Sequence, residues 1–182
     1  MTPARRCLYL VTSAAPPVLR LEELIPQLSA DGWAVYVIAT PTAASWIDLD
    51  DLAAATGCVT RVQPRPPHQR EKSLPRAEAL LVAPLTFNSM NKWAAGISDT
   101  FALGVLNEML GAEVPIVAAP CVKPALRRHP AYADSVARLT KAGVKLLDPD
   151  TITTRAEDGL ATFDWSYLIS ALCSAVKSDA DR

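Results

Sequence analysis

Residues 7–40 read CLYLVTSAAPPVLRLEELIPQLSADGWAVYVIAT. Two unbroken apolar runs, CLYLV (7–11) and WAVYVIA (33–39), flank LRLEELIPQL, in which Leu21, Leu24, Ile25 and Leu28 recur at i, i+3, i+4 and i+7 and so share one helical face. Gly32 stands where that helix has to stop. Side chains of a strand point alternately to the two faces of its sheet, so a strand apolar at every position is buried on both. A buried strand, a helix and a second buried strand form a βαβ unit, which belongs to a parallel sheet.

The alternation continues outward from that unit. LDDLAAAT (49–56) reads as a helix, CVTRV (58–62) as a short strand and ALLVA (79–83) as a fully buried strand. Helices follow over 87–95 and 99–110, then a strand at PIVAA (115–119), a helix over 131–142 and a strand at VKLL (144–147). The pattern predicts an α/β fold: a three-layer, Rossmann-like (flavodoxin-like) doubly wound parallel sheet of about six strands. One domain over 1–182 is expected, since single cores are usually of this length. QPRPPHQREKSLPR (63–76) is Pro-rich, charged and without period, and reads as a loop. DPDTITTRAEDGLATFDW (148–165) reads similarly, before a final helix near 165–177, so 148–182 forms a variable C-terminal loop and helix.

Half of the residues are apolar and a fifth are charged, enough for a core and unlike a disordered chain. Eighteen basic against nineteen acidic residues leave a net charge of −1, which disfavours nucleic acid and anionic membrane as partners. The cysteines Cys7, Cys58, Cys121 and Cys173 are widely spaced, with neither a CxxC pair nor a Cys/His cluster for a metal, and are expected as reduced thiols. Arg5 and Arg6, CLYLV and TSAA follow the order of a signal peptide, but the apolar part is short and Thr12 and Ser13 interrupt it. A cytoplasmic protein is expected.

In an open parallel sheet, ligands bind beyond the carboxyl ends of the strands. Those ends read Thr12-Ser13, Thr40-Pro41-Thr42, Pro84-Leu85-Thr86-Phe87-Asn88-Ser89 and Pro120-Cys121-Val122-Lys123. Singly, each small hydroxyl is an ordinary helix cap. Gathered at one edge they form an anion cradle suited to a phosphate monoester. GxGxxG and the Walker P-loop are both absent, so a mononucleotide or a sugar phosphate is expected in place of a dinucleotide or ATP.

The stretch APLTFNSMNKWAAGISD (83–99) resembles the Pro-Ala-Ser-Ala-Asn-Thr signature of the homo-oligomeric flavin-containing cysteine decarboxylases, with its Asn91-x-x-Ala94-x-Gly96-x-x-Asp99 continuation. LYLVTSAA, VIAT and VAAPC fall in order around it, so the resemblance runs to about residue 147. It implies FMN as cofactor and assembly with itself as a homotrimer or a dodecamer of trimers. Ser13 and Thr40 are then expected at the phosphate, Thr86, Phe87 and Asn88 along the isoalloxazine, and Ser98 nearby. The implied reaction is an oxidative decarboxylation of a cysteine-type thiol, a small molecule or a peptide, with Asn88, His68 and Lys123 as catalytic candidates.

The sequence departs from that family in three places. The family histidine before the third buried strand falls near Arg70, whereas the only neighbouring histidine is His68 in the Pro-rich loop. Pro-x-Met-Asn is replaced by Pro120-Cys121-Val122-Lys123, and Lys123 is a flexible point charge where the family has an amide. Residues 148–165 lack the cysteine of the coenzyme A pathway enzymes, which argues against that role. These departures keep a second reading open, a non-catalytic FMN-binding or interaction protein, and a third, a mononucleotide or sugar-phosphate binder without flavin.

Overall fold

The computed structural model describes residues 5–68 and 73–180. Six strands among them are β1 (Arg6–Thr12), β2 (Trp33–Ala39), β3 (Val59–Arg61), β4 (Ala79–Leu85), β5 (Ile116–Pro120) and β6 (Lys145–Leu146). They form one parallel sheet in the order β3-β2-β1-β4-β5-β6. The helices are α1 (Leu21–Ala30), α2 (Pro41–Ala44), α3 (Leu49–Thr56), α4 (Phe87–Ala94), α5 (Phe101–Leu110), α6 (Pro124–Arg127), α7 (Pro130–Lys141), α8 (Pro149–Ile152) and α9 (Trp165–Ala180).

The apolar run that opens the sequence is the middle of this sheet. Leu8 and Leu10 pack on one face with Leu24 and Leu28 of α1 and Leu168 and Leu172 of α9. Cys7, Tyr9 and Val11 pack on the other with Trp93 of α4, Leu106 of α5 and Leu139 of α7. Each large side chain so buried contributes about 1.5–3 kcal/mol. Both faces being covered is the reason the strand carries no polar alternation. Helix α1 ends where predicted, and Gly32 turns the chain at φ +87°, a conformation that costs glycine nothing. The Arg5-Arg6 stretch with the order of a signal peptide leads into this central strand, where the Arg6 guanidinium lies 4.1 Å from the centre of the buried Trp33 ring.

Several boundaries differ from expectation. Residues 148–165 are not a plain loop: α8 leads into β7 (Thr153–Arg155), which pairs antiparallel with β8 (Ala161–Phe163). Strands of this length, half of them exposed, carry too little periodicity to register in the sequence. The turn chemistry is local, with Gly159 at φ +79° and the Leu160 N–H donating to Asp158 Oδ1 at 2.9 Å. Strand β4 runs on through Pro84 to Leu85, and its register against β5 shifts between Val82 and Leu85. The peptide bond Ala83–Pro84 is cis. The short helices α2 and α6 lie in stretches that carry no helical period, and α9 extends to Ala180.

The Pro-rich segment is a loop over its described residues, and β1 anchors its end. Tyr9 Oη donates to Pro75 O at 2.7 Å, and the Cys7 N–H donates to Glu78 Oε1 at 3.0 Å. Among the described residues no helix is long and apolar enough to cross a membrane.

Candidate functional site

Strands β2 and β3 lie on one side of β1, and β4, β5 and β6 on the other. The winding therefore reverses between β1 and β4, and the crevice that such a reversal opens lies beyond the carboxyl ends of those two strands. Thr12-Ser13 stands there on one side and Pro84 to Ser89 on the other.

Ser13 fastens the two together. Its Oγ donates to Pro84 O at 2.8 Å and accepts from the Thr86 N–H at 3.0 Å, while its own N–H donates to Pro84 O at 3.0 Å. The next loop is tied in by the Thr40 N–H, which donates to Thr12 O at 2.9 Å. Thr40 Oγ1 accepts from the Ala43 N–H at 3.2 Å and so caps α2. Thr86 Oγ1 accepts from the Ser89 N–H at 3.3 Å and caps α4. Capping by these hydroxyls is thus present, and the same hydroxyls gather at one edge of the sheet.

Two hydroxyls retain capacity that the protein does not use. Thr12 Oγ1 is fully buried with no partner, and the Thr40 hydroxyl has no acceptor for its proton among the described residues. Thr12, Ser13, Thr40 and Ser89 line one narrow void too small for water. Thr12 is closed off from any ligand by that burial, whereas the half-buried Thr40 hydroxyl fits a phosphate ester, which offers several acceptor oxygens. Phe87 is half-buried and Asn88 is exposed, with no partner for its amide among the described residues.

The loop after β5 joins the same edge, because the Cys121 N–H donates to Leu85 O at 2.9 Å. Burial pushes the Cys121 thiol up, away from the thiolate form. Lys123 is exposed at the start of α6, with no partner for its ammonium among the described residues. Arg127 grips Asp150 with two hydrogen bonds of 2.9 and 2.8 Å and ties α6 to α8.

Not every expected residue gathers here. His68 is exposed in a turn of the Pro-rich loop and touches none of these groups, and the position near Arg70 lies outside the described residues. Ser98 accepts from Asn107 Nδ2 at 2.9 Å and lines a hollow with Gln63, Pro64 and Phe101. The second histidine, absent from the sequence-based candidates, does stand at the site. His129 caps α7, its Nδ1 accepting from the Ala131 N–H at 3.1 Å, and its ring meets Phe87 edge to face with centroids 5.6 Å apart. The available signal was the dipeptide His129-Pro130, a cap followed by Pro in the first helical turn.

A doubly wound sheet with hydroxyl-bearing loops at its reversal point defines a mononucleotide-binding protein of the Rossmann-like class. Comparison with known proteins is more specific: the chain belongs to the Flavoprotein family, whose model matches residues 1–177. The coenzyme A biosynthesis bifunctional protein CoaBC of Thermococcus kodakarensis is 31% identical over 106 residues, 58% of this chain and 24% of that protein. The chain thus spans about a quarter of that relative's length. Among solved structures, the FMN-dependent cysteine decarboxylase TvaF from thioviridamide biosynthesis superposes with a TM-score of 0.73 at 20% identity, covering 94% of this chain and 98% of that one. A PPC decarboxylase complexed with pantothenoylaminoethenethiol gives 0.74 at 16% identity, covering 93% and 97%. At these identities the likeness establishes the shared fold.

Proposed function

We propose that this flavoprotein binds FMN at the β1/β4 crevice and decarboxylates a cysteine-type thiol, either a small molecule or a peptide end. The observation that carries the reading is Ser13, which joins the loop after β1 to the Pro84–Ser89 segment and thereby builds one site from two strand ends. When bound, FMN would supply a two-electron acceptor for the hydride leaving the carbon that bears sulfur, while the thiol gives up its proton and the substrate becomes a thioaldehyde; CO2 would then leave readily, because the electrons it abandons are conjugated with C=S. The chain's own residues bind and orient. Thr40 offers its hydroxyl to the phosphate, Phe87 borders the ring system, and Asn88 presents an unpaired amide to the reacting end of the substrate. Lys123 supplies the positive charge that holds the carboxylate until it departs. His68 is tied to none of these groups, so the proposal places the work on Asn88 and Lys123. Self-assembly into a homotrimer or a larger multiple belongs to the same reading.

A non-catalytic FMN-binding protein is the alternative, favoured by the detached His68 and by Lys123 standing where the family has an amide. An absorption spectrum of the purified protein, with the released chromophore identified by mass, tests the cofactor. Bleaching of the flavin on anaerobic addition of a peptide ending in cysteine separates enzyme from binder. Asn88→Ala is expected to leave stability within about 0.5 kcal/mol, because the side chain is exposed and unpaired, while slowing bleaching roughly ten-fold or more. An unchanged rate in both Asn88→Ala and Lys123→Ala removes the assigned roles.

A further inference from the structure

Resting on the reading of the site as one for a thiol substrate bearing a carboxylate, we infer that His129 is a substrate-binding residue, donating its Nε2–H to that carboxylate beside Phe87. Three observations lead there. First, His129 Nδ1 accepts a hydrogen bond from the Ala131 N–H at 3.1 Å, which requires that nitrogen to be unprotonated and places the ring proton on Nε2. The tautomer is therefore fixed by the backbone of α7. Second, the ring is held in orientation by its edge-to-face contact with Phe87, 5.6 Å between centroids and 76° between planes. Phe87 lies between Thr86 and Asn88 in the segment that opens α4, so the imidazole belongs to the crevice and not to a remote surface. Third, Nε2 has no acceptor among the described residues and His129 is exposed, which leaves that donor available to a ligand.

The chemistry complements Lys123. Both residues lie on the segment that follows β5, one on each side of α6, and the Cys121 N–H bond to Leu85 O holds the start of that segment at the β4 edge. Lys123 brings charge without direction, whereas a neutral imidazole with a fixed tautomer brings direction without charge. Together they do what a single amide donor does elsewhere: hold a carboxylate in one orientation while leaving its charge only partly neutralised, so that it can depart as CO2.

The test separates this role from capping. Asn is as good a helix cap as histidine here, so His129→Asn keeps the bond to the Ala131 N–H while removing the Nε2 donor. Binding of N-acetylcysteine and of N-acetylcysteinamide, which lacks the charged carboxylate, is measured by calorimetry on the protein as purified. The wild type is expected to prefer the acid, and His129→Asn to bind the acid about ten-fold more weakly with the amide unaffected. Thermal unfolding is expected to be the same in both proteins. An acid preference that survives in His129→Asn, equal binding of the two probes by the wild type, or no binding of the acid overturns the inference. Flavin content is read separately from the absorption spectrum, so a protein without FMN defeats the cofactor reading while the calorimetry still decides the role of His129.

Discussion

Ser13 joins the loop after β1 to the Pro84–Ser89 segment through a single hydroxyl. The residue is 4% exposed, and its Oγ donates to Pro84 O and accepts from the Thr86 N–H, so both loops of the crevice lean on one atom. The resemblance to the cysteine decarboxylases implies a phosphate contact for this residue, and the hydrogen bonds found here give it a tethering role as well. Ser13→Ala is expected to leave the Thr86 N–H without its partner, Pro84 O keeping only the Ser13 N–H, at about 1–3 kcal/mol. Urea unfolding measures it, and a loss under about 0.5 kcal/mol would mean that the loops hold each other without the hydroxyl. Thr40 differs, because its oxygen caps α2 while its proton has no acceptor among the described residues. Thr40→Val is therefore expected to weaken FMN uptake as well as the cap, whereas Thr40→Ser keeps both.

At the level of elements, β1 organises the rest of the sheet, because it is paired on both edges and packed on both faces. Burial, aided by the charge of Glu78, pushes the Cys7 thiol up from 9.0 to about 11. Burial, with smaller contributions from Cys7, Glu108 and Tyr36, pushes the Tyr9 hydroxyl from 10.0 to about 12. Raised values mean that the folded chain keeps protons the unfolded chain releases, so stability is full below pH 9 and falls as pH climbs toward 11 and then 12. Cys7→Ala is expected to flatten part of the fall that starts at pH 9, Cys58 and Cys121, also raised by burial, keeping the remainder. Denaturant midpoints taken from below pH 9 up to pH 11 read this directly, and a mutant profile with the wild-type shape counts against it. The same doubly buried strand is why the fold was legible in the sequence: continuous apolar runs alternating with helical periodicity leave few alternatives. The β7-β8 hairpin was not legible, since its short strands are held by Asp158 and Gly159 turn chemistry and by the Arg20 ion pair to Asp158. At the site, Pro84 to Ser89 could be read from sequence because consecutive residues form it. His129 could not, because only the packing of its ring on Phe87, far earlier in the chain, reveals where it stands.

The whole molecule leaves apolar surface on the segments that follow β1 and β2. Trp46 is 48% exposed and Leu19 43%, and both line one hollow, Leu19 from the segment after β1 and Trp46 from the segment after β2. The two loops that carry Ser13 and Thr40 thus continue into an indole and a leucine facing outward. Exposed apolar side chains are stabilised when another surface covers them, and a second copy of the chain is the partner that the proposed homo-oligomer supplies. Charge does not oppose such contact, because the net charge is only −1. If this hollow is the interface, Trp46→Glu is expected to lower the mass measured by light scattering from a multiple of the 19.5 kDa chain toward the chain itself. It should lower FMN occupancy in parallel, since the loops proposed to bind the cofactor continue into that surface. Circular dichroism should be unchanged, because the half-exposed Trp46 contributes little to the core. An assembly that keeps its mass with glutamate at 46 places the interface elsewhere, and a wild-type protein that runs as a monomer removes the oligomer from the proposal while leaving the β1/β4 crevice intact.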